Sequence, residues 1–174
     1  MASGNNRFVA GSHTPSGPEE ASGSVVRYGP AQIEQILALR ARELRAGKPV
    51  DSARFPEDDD STTLHFAAWV NETVVGCLTL IEQSGDEGPV WQLRGMATVR
   101  PWRKRGLGRN LLAYAEHHLK IKGRARVKED RVRIWCNART EAVSFYKRMG
   151  YRVLSDEFMI ERIGPHYKME KILM

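Results

Sequence analysis

Three β-rich runs follow one another, Leu64 to Val70, Thr73 to Ile81 and Val90 to Val99, and then the pattern changes to that of a helix. Between the last run and the helix lies a basic loop punctuated by glycines. Past it, Leu107, Leu111, Leu112, Ala115 and Leu119 fall on one side of a 3.6-residue period. A chain that changes period in this way builds a sheet with helices laid on it, not a bundle or a sandwich. The Asn71-Glu72 junction between the first two runs reads as a hairpin turn. Upstream, Val25 to Tyr28 reads as a first strand closed by Gly29-Pro30. Pro30 is then expected to open a helix with Ile33, Ile36, Leu37 and Leu44 as its apolar stripe. Downstream, Arg131 to Cys136 is a strand, Thr140 to Met149 a helix ended by Gly150, and Tyr151 to Leu154 and Tyr167 to Ile172 are closing strands. Gly123 is expected to stop the helix that begins near Leu107. The order β-α-β-β-β-α-β-α-β-β predicts an α/β (α+β) fold.

With 174 residues, one domain over 25–174 is expected, preceded by a flexible leader over 1–24 made mostly of Gly, Ser, Pro and Asn. The composition is 41% hydrophobic and 28% charged, which fits neither a disordered chain nor a fibre. No run approaches the ~18 apolar residues of a membrane span, and the first residues lack the apolar stretch of a signal peptide. A cytoplasmic location is the expectation. Cys77 and Cys136 are far apart and without CxxC spacing, so a disulfide framework or a metal site is not expected.

The formal net charge is +6, but its distribution says more. Arg100 to Arg133 holds 12 Lys or Arg against three acids, a local net of +9, and the remainder is net acidic at −3. The basicity therefore belongs to one face, and phosphate is its first candidate partner. Within it, Arg103-Lys104-Arg105-Gly106-Leu107-Gly108-Arg109 joins a strand to a helix. Glycines there let the backbone approach an anion, and the helix start supplies unpaired N–H donors. The spacing is neither a P-loop nor the dinucleotide fingerprint, and a solvated basic turn fits it as well.

The string Leu93-Arg94-Gly95-Met96-Ala97-Thr98, followed by Arg103-x-x-Gly106-x-Gly108 on a helix start, resembles the acetyl-CoA motif of the GCN5-related N-acetyltransferase (GNAT) superfamily. About thirty residues on, Asn137-x-x-x-x-Ala142-x-x-Phe145-Tyr146-x-x-x-Gly150-Tyr151 is similar to that superfamily's second signature. The late Phe158-x-Ile160 and Ile163-Gly164-Pro165-His166 also look like small bacterial members. The resemblance implies a mixed, mostly antiparallel central sheet of about six to seven strands flanked by helices. It also implies acetyl-CoA as co-substrate, no metal, and transfer of the acetyl group to an amine.

By the same resemblance, the backbone of Met96, Ala97 and Thr98 would pair with the pantetheine arm. The amides of Arg105, Gly106, Leu107, Gly108 and Arg109 would hold the diphosphate, flanked by Arg103 and Lys104. Asn137 would reach the pantetheine, its alternative being a local helix cap. Tyr146 would act as general acid toward the leaving thiolate, its alternative being a core tyrosine beside Phe145. His65, Glu157, His166 or water are open candidates for the base. Where the family commonly has Arg-Gly, this chain has Arg103-Lys104, so the first turn of the loop is expected to differ. The acidic run Glu57 to Asp60 reads either as a solvated loop or as an attractor for a cationic amine. Two other functions stand beside the transferase: a nucleic-acid module using the 100–133 face with Trp102 and Trp135 as stacking platforms, and an acyl-CoA-binding domain without catalysis. The expected assembly is a monomer or homodimer.

Overall fold

The computed structural model describes residues 25–85, 90–124 and 131–174, with side chains through residue 121 of the middle segment. The expected leader lies outside the described residues, as does the segment 86–89 between the second and third β-rich runs. The strands are β1 (Arg27–Ala31), β2 (Leu64–Val70), β3 (Thr73–Gln83), β4 (Val90–Thr98), β5 (Val132–Arg139), β6 (Arg152–Val153), β7 (Phe158–Ile160) and β8 (Gly164–Leu173). The α-helices are α1 (Ile33–Leu44), α2 (Leu107–Arg124) and α3 (Val143–Arg148). One sheet runs in the order β1-β2-β3-β4-β5-β8-β6, and β7 also pairs with β8. Every pairing is antiparallel except that between β4 and β5.

The strand count is eight, where the resemblance implied about six to seven, because the short β6 and β7 both pair with β8. Pro30 does not start α1. It pairs with Phe66 inside β1, an edge strand, where a missing N–H costs nothing. The helix begins three residues later, at Ile33, after Gln32, whose N–H donates to the Gln35 side chain at 2.8 Å. Gly123 does not stop α2, which runs on to Arg124. A single glycine in a last turn costs only about 1 kcal/mol. The helix expected from Thr140 opens with a 3-10 turn (Thr140–Ala142) before α3. Gly150, at φ +86°, ends it as expected. The hairpin at Asn71 and Glu72 has both residues at positive φ, the backbone of a two-residue turn matched to strand twist.

Two apolar layers hold the sheet. On one face Leu111, Leu112, Ala115 and Leu119 of α2 pack against Phe66, Leu78, Leu80 and Leu93. Each fully buried leucine there stabilises the fold by about 1.5–3 kcal/mol. On the other face Ile33, Ile36 and Leu37 of α1 cover Ala67, Trp69, Cys77 and Ala97. Both cysteines are free and buried.

The feature that makes a site lies in β4. Cys77 of β3 pairs with Ala97, and Thr79 pairs with Arg94, so one residue of β3 faces two of β4. Gly95, at φ +60°, carries this bulge. A β-carbon there would lie 2.8 Å from Arg40 Nε and 3.1 Å from the Phe55 ring. Pairing of β4 with β5 ends at Gln92 and Trp135, before the bulge. The two parallel strands then part, and the edge of β4 from Met96 to Thr98 is left open toward β5.

Candidate active site

A cleft of about 830 Å³ fills the gap between the parted strands. Met96, Ala97 and Thr98 line it, and the loop from Trp102 to Arg109 continues its wall. Phe145 and Tyr146 of α3, Arg139 of β5, and Glu43 with Leu44 of α1 complete it. The Thr98 carbonyl already accepts from Arg103 Nε at 2.9 Å, and the other guanidinium arm of Arg103 pairs with Glu43 at 2.7 Å. This ties the loop to the end of α1.

The loop has a backbone suited to an anion. Lys104 stands at φ +59° and Gly106 at φ +81°. The expected departure at Lys104 is thus one of residue type alone, because its backbone takes the left-handed turn a glycine would take. The first helical acceptor is the Gly106 carbonyl, which receives the Asn110 N–H at 3.0 Å. The amides just before Asn110 therefore precede any helical acceptor, and the helix end adds its partial positive charge. Arg103, Lys104, Arg105 and Arg109 surround them, all exposed. The Leu107 side chain turns the other way and is buried beside Gly76, so it brings only its amide to the cleft.

Tyr146 is buried, and its hydroxyl donates to the Met96 sulfur at 3.7 Å. Its ring packs edge-on against Phe145 and Tyr151. Burial, and then the nearby Cys136, push its pKa well above the ordinary phenol value, so the proton stays on the oxygen. Of the residues singled out from the sequence, Met96 to Thr98, Arg103 to Gly106, Gly108, Arg109 and Tyr146 come together in this cleft. Asn137 is exposed on β5 and does not line it.

None of His65, Glu157 and His166 lines the cleft. The His166 Nδ1 is 2.8 Å from the Gly164 carbonyl, and Glu157 accepts from Thr140 at 2.9 Å. His65 belongs to a buried network under the bulge. Arg40, fully buried on α1, donates to Asp58 Oδ2 at 2.7 Å, to the Ala53 carbonyl at 3.1 Å and to Thr79 Oγ1 at 2.5 Å. With its oxygen accepting from Arg40, the Thr79 hydroxyl is left to donate to His65 Nδ1 at 2.9 Å. His65 Nε2–H then donates to the Asp58 carbonyl at 2.9 Å.

Three of the four acids in the acidic run have structural partners. Asp58 holds Arg40, Glu57 pairs with Arg94 at 3.4 Å, and Asp59 pairs with Arg54 at 3.1 Å. Asp60 is exposed, and with Asp58 and Asp59 it lines a second pocket beside His65. The two tryptophans also have local partners. Arg105 lies over Trp102 at 4.8 Å, while Trp135 carries Lys168 at 4.7 Å and donates to Gln83.

Sequence reading missed Arg139, Glu43 and Leu44. Arg139 sits two residues past Asn137 in the quoted signature, a visible but unmarked position. Glu43 and Leu44 reach the cleft from α1 by tertiary packing alone.

Comparison with known proteins agrees with this geometry. Residues 47–173 match the family model described as "Acetyltransferase (GNAT) domain". The uncharacterized N-acetyltransferase YitI of Bacillus subtilis (strain 168) is 30% identical over 144 residues, covering 81% of this chain and 92% of that one. A crystal structure from Lactobacillus plantarum matches with a TM-score of 0.67 at 21% identity, over 86% of this chain and 98% of the other. The crystal structure of an aminoglycoside 6'-N-acetyltransferase complexed with coenzyme A matches at 0.62 and 17%, over 80% and 89%. With a family match over most of its length and a splayed sheet of this topology, the chain belongs to the GNAT acetyltransferase family.

Proposed function

We propose that this protein is an N-acetyltransferase that moves the acetyl group of acetyl-CoA to a primary amine by direct attack in a ternary complex. The observation that carries the reading is the continuity of the cleft. The anion-suited loop, the open edge of β4 and the Tyr146 hydroxyl follow one another along a single wall. A diphosphate fits the unpaired amides and basic side chains of Arg105 to Arg109, with Arg103 and Lys104 as charged flanks. An amide-bearing arm fits the β4 edge at Met96, Ala97 and Thr98, where the Thr98 carbonyl is shared with Arg103 Nε. Asn137 would join only if its exposed side chain turned inward.

When bound, acetyl-CoA supplies the activated acyl group. The protein's task is to hold amine and thioester together and to stabilise the leaving group. As the new carbon–nitrogen bond forms and the carbon–sulfur bond breaks, Tyr146 donates its proton to the departing sulfur, and the second proton that the nitrogen loses as it becomes an amide restores the phenol. None of the three candidate bases faces the cleft, which leaves water or the cleft carboxylate Glu141 to take the ammonium proton of the acceptor.

Acetyl-CoA and coenzyme A should both raise the melting temperature, and adenosine should do so much less. Gly108→Glu tests the same site. The α-carbon of Gly108 leaves room for a β-carbon, with the nearest atom at 3.4 Å, so the fold should survive. A carboxylate at the phosphate position should lower coenzyme affinity tenfold or more, about 1.4 kcal/mol. No melting shift at millimolar coenzyme would sink the proposal. Coenzyme binding without turnover on any amine would instead favour a non-catalytic acyl-CoA-binding domain.

A further inference from the structure

The sheet face opposite α2 carries an unbalanced group of cations where β4 and β5 part. Arg94 stands in β4 immediately before the bulge, its guanidinium 4.1 Å over the Phe55 ring. Arg139 ends β5 and lines the cleft together with Tyr146 and Met96. Arg45 follows the last residue of α1 and donates to the carbonyl of Leu44, another cleft residue. All three side chains are half-buried. Burial first, and then the charges of Arg139 and Arg94, push the Arg45 guanidinium below its ordinary pKa.

Like charges at close quarters on a half-buried surface are unfavourable unless something answers them. Among the described residues, Arg94 has one carboxylate partner, Glu57 at 3.4 Å, and neither Arg45 nor Arg139 makes an ion pair. Of the cleft carboxylates, Glu43 is engaged by Arg103 and Arg42, and Glu141 is exposed. Three of the four acids of the preceding run pair with Arg40, Arg54 and Arg94. Of the three arginines, Arg139 shares the cleft with the phosphate loop, while Arg45 and Arg94 are outside its lining.

We infer that the acceptor is an amine that also carries an anionic group, a carboxylate or a phosphate, which Arg45, Arg94 and Arg139 bind at the mouth of the parted strands. Planar guanidiniums suit both oxyanions, through paired N–H donors. Arg139, which lines the cleft with Met96 and Tyr146, links that anion site to the reaction centre. A cationic polyamine is disfavoured by the same charges. The inference rests on the reading that this gap is the reaction centre.

The test uses the full chain saturated with coenzyme A and follows the side-chain Nε–H resonances of the three arginines by NMR. N-acetylglycine is titrated against N-acetylglycinamide, and N-acetylated phosphoethanolamine against N-acetylethanolamine. The anionic member of at least one pair should bind at least tenfold more tightly than its neutral partner and move these resonances. Whichever pair discriminates identifies the anion as carboxylate or phosphate. Arg45→Gln and Arg139→Gln should each erase most of the discrimination, and Arg45→Gln, outside the cleft lining, should keep the coenzyme-induced melting shift. Equal binding of neutral and anionic members overturns the inference, as does no response to either anion. It is also overturned if coenzyme A alone moves all three resonances and abolishes the anion response, since the cations then serve the coenzyme. If coenzyme A fails to bind, the proposed function falls, and the same titration on the free protein still decides whether the arginines bind an anion.

Discussion

Among the described residues, the hydroxyl of Tyr146 is held only by the thioether of Met96, 3.7 Å away, on the wall of the cleft. Sulfur is a weak acceptor, so the phenol is oriented without being committed. A thiolate arriving at the same place would be a much better acceptor. Tyr146→Phe keeps the ring, its edge contacts with Phe145 and Tyr151, and the packing, and removes one oxygen. Turnover should fall by ~10²–10⁴-fold, the range for a positioned acid. Affinity for acetyl-CoA should change little, because the interaction strengthens only as charge develops on sulfur. Steady-state kinetics beside coenzyme titration checks this. Turnover within a few-fold of the parent, with the loss in thermal stability instead, would make Tyr146 a core residue.

Asp58 and Arg40 set the shape beneath the site. Both are almost fully buried, and Asp58 also accepts from the Phe55 N–H at 2.7 Å. Asp58→Asn keeps the volume but leaves the Arg40 charge without its counterion. The expected loss is about 3–5 kcal/mol, as for other broken buried pairs. Asp59→Asn, which disturbs only the exposed pair with Arg54, should cost under about 1 kcal/mol. Equal losses in denaturant titrations would show that the Arg40 network contributes no special stability.

That network marks where sequence reading stops. The strands and the two long helices were legible because alternation and the 3.6-residue period are local properties of β2, β3, β4, α1 and α2. Most of the cleft was legible because Met96 to Arg109 is nearly contiguous. The structural role of the acidic run was not legible because its partner, Arg40, lies 18 residues from Asp58, a lone charge set in the apolar stripe of α1. The bulge at Gly95 depends on the register between β3 and β4, which no single strand reveals. Pro30 was taken for a helix start because its place on an edge strand depends on β1 lying outermost. Arg45, Arg94 and Arg139 come from three different elements, and only the fold brings them together.

The two buried thiols predict an alkaline limit to stability. Burial pushes Cys77 and Cys136 each up to about 12, from an ordinary value near 9.0. A group whose pKa is raised in the folded state stabilises fully below its unfolded pKa, and that contribution is lost as pH rises toward the folded value. Stability should therefore decline from pH 9 toward 12, by about 1 kcal/mol per unit for each thiol. The buried Tyr146 and Tyr151, whose pKa values are also raised, add to the slope above pH 10. Urea titrations across this range should show a shallower decline in Cys136→Ala than in the parent. An unchanged slope would remove the thiol from the effect.

Lys104 gives the last prediction, because it combines strain with charge. It holds a left-handed backbone, φ +59°, at an exposed turn that lines the cleft. That conformation costs an L-residue about 1–2 kcal/mol, and a glycine much less. Lys104→Gly removes this strain but gives the unfolded chain more freedom, worth about 0.5–1 kcal/mol in the other direction. The net expectation is a stability gain of up to about 1 kcal/mol in the protein without coenzyme. Coenzyme affinity should move the opposite way, since one cation flanking the proposed phosphate site is lost. That loss should shrink at high salt, where an exposed charge is screened within a few ångströms. Urea titration of the free protein and coenzyme titration at two ionic strengths measure both halves. A variant that is less stable than the parent would show that the loop does not store strain at Lys104. A salt-independent change in affinity would show that its ammonium does not act through charge.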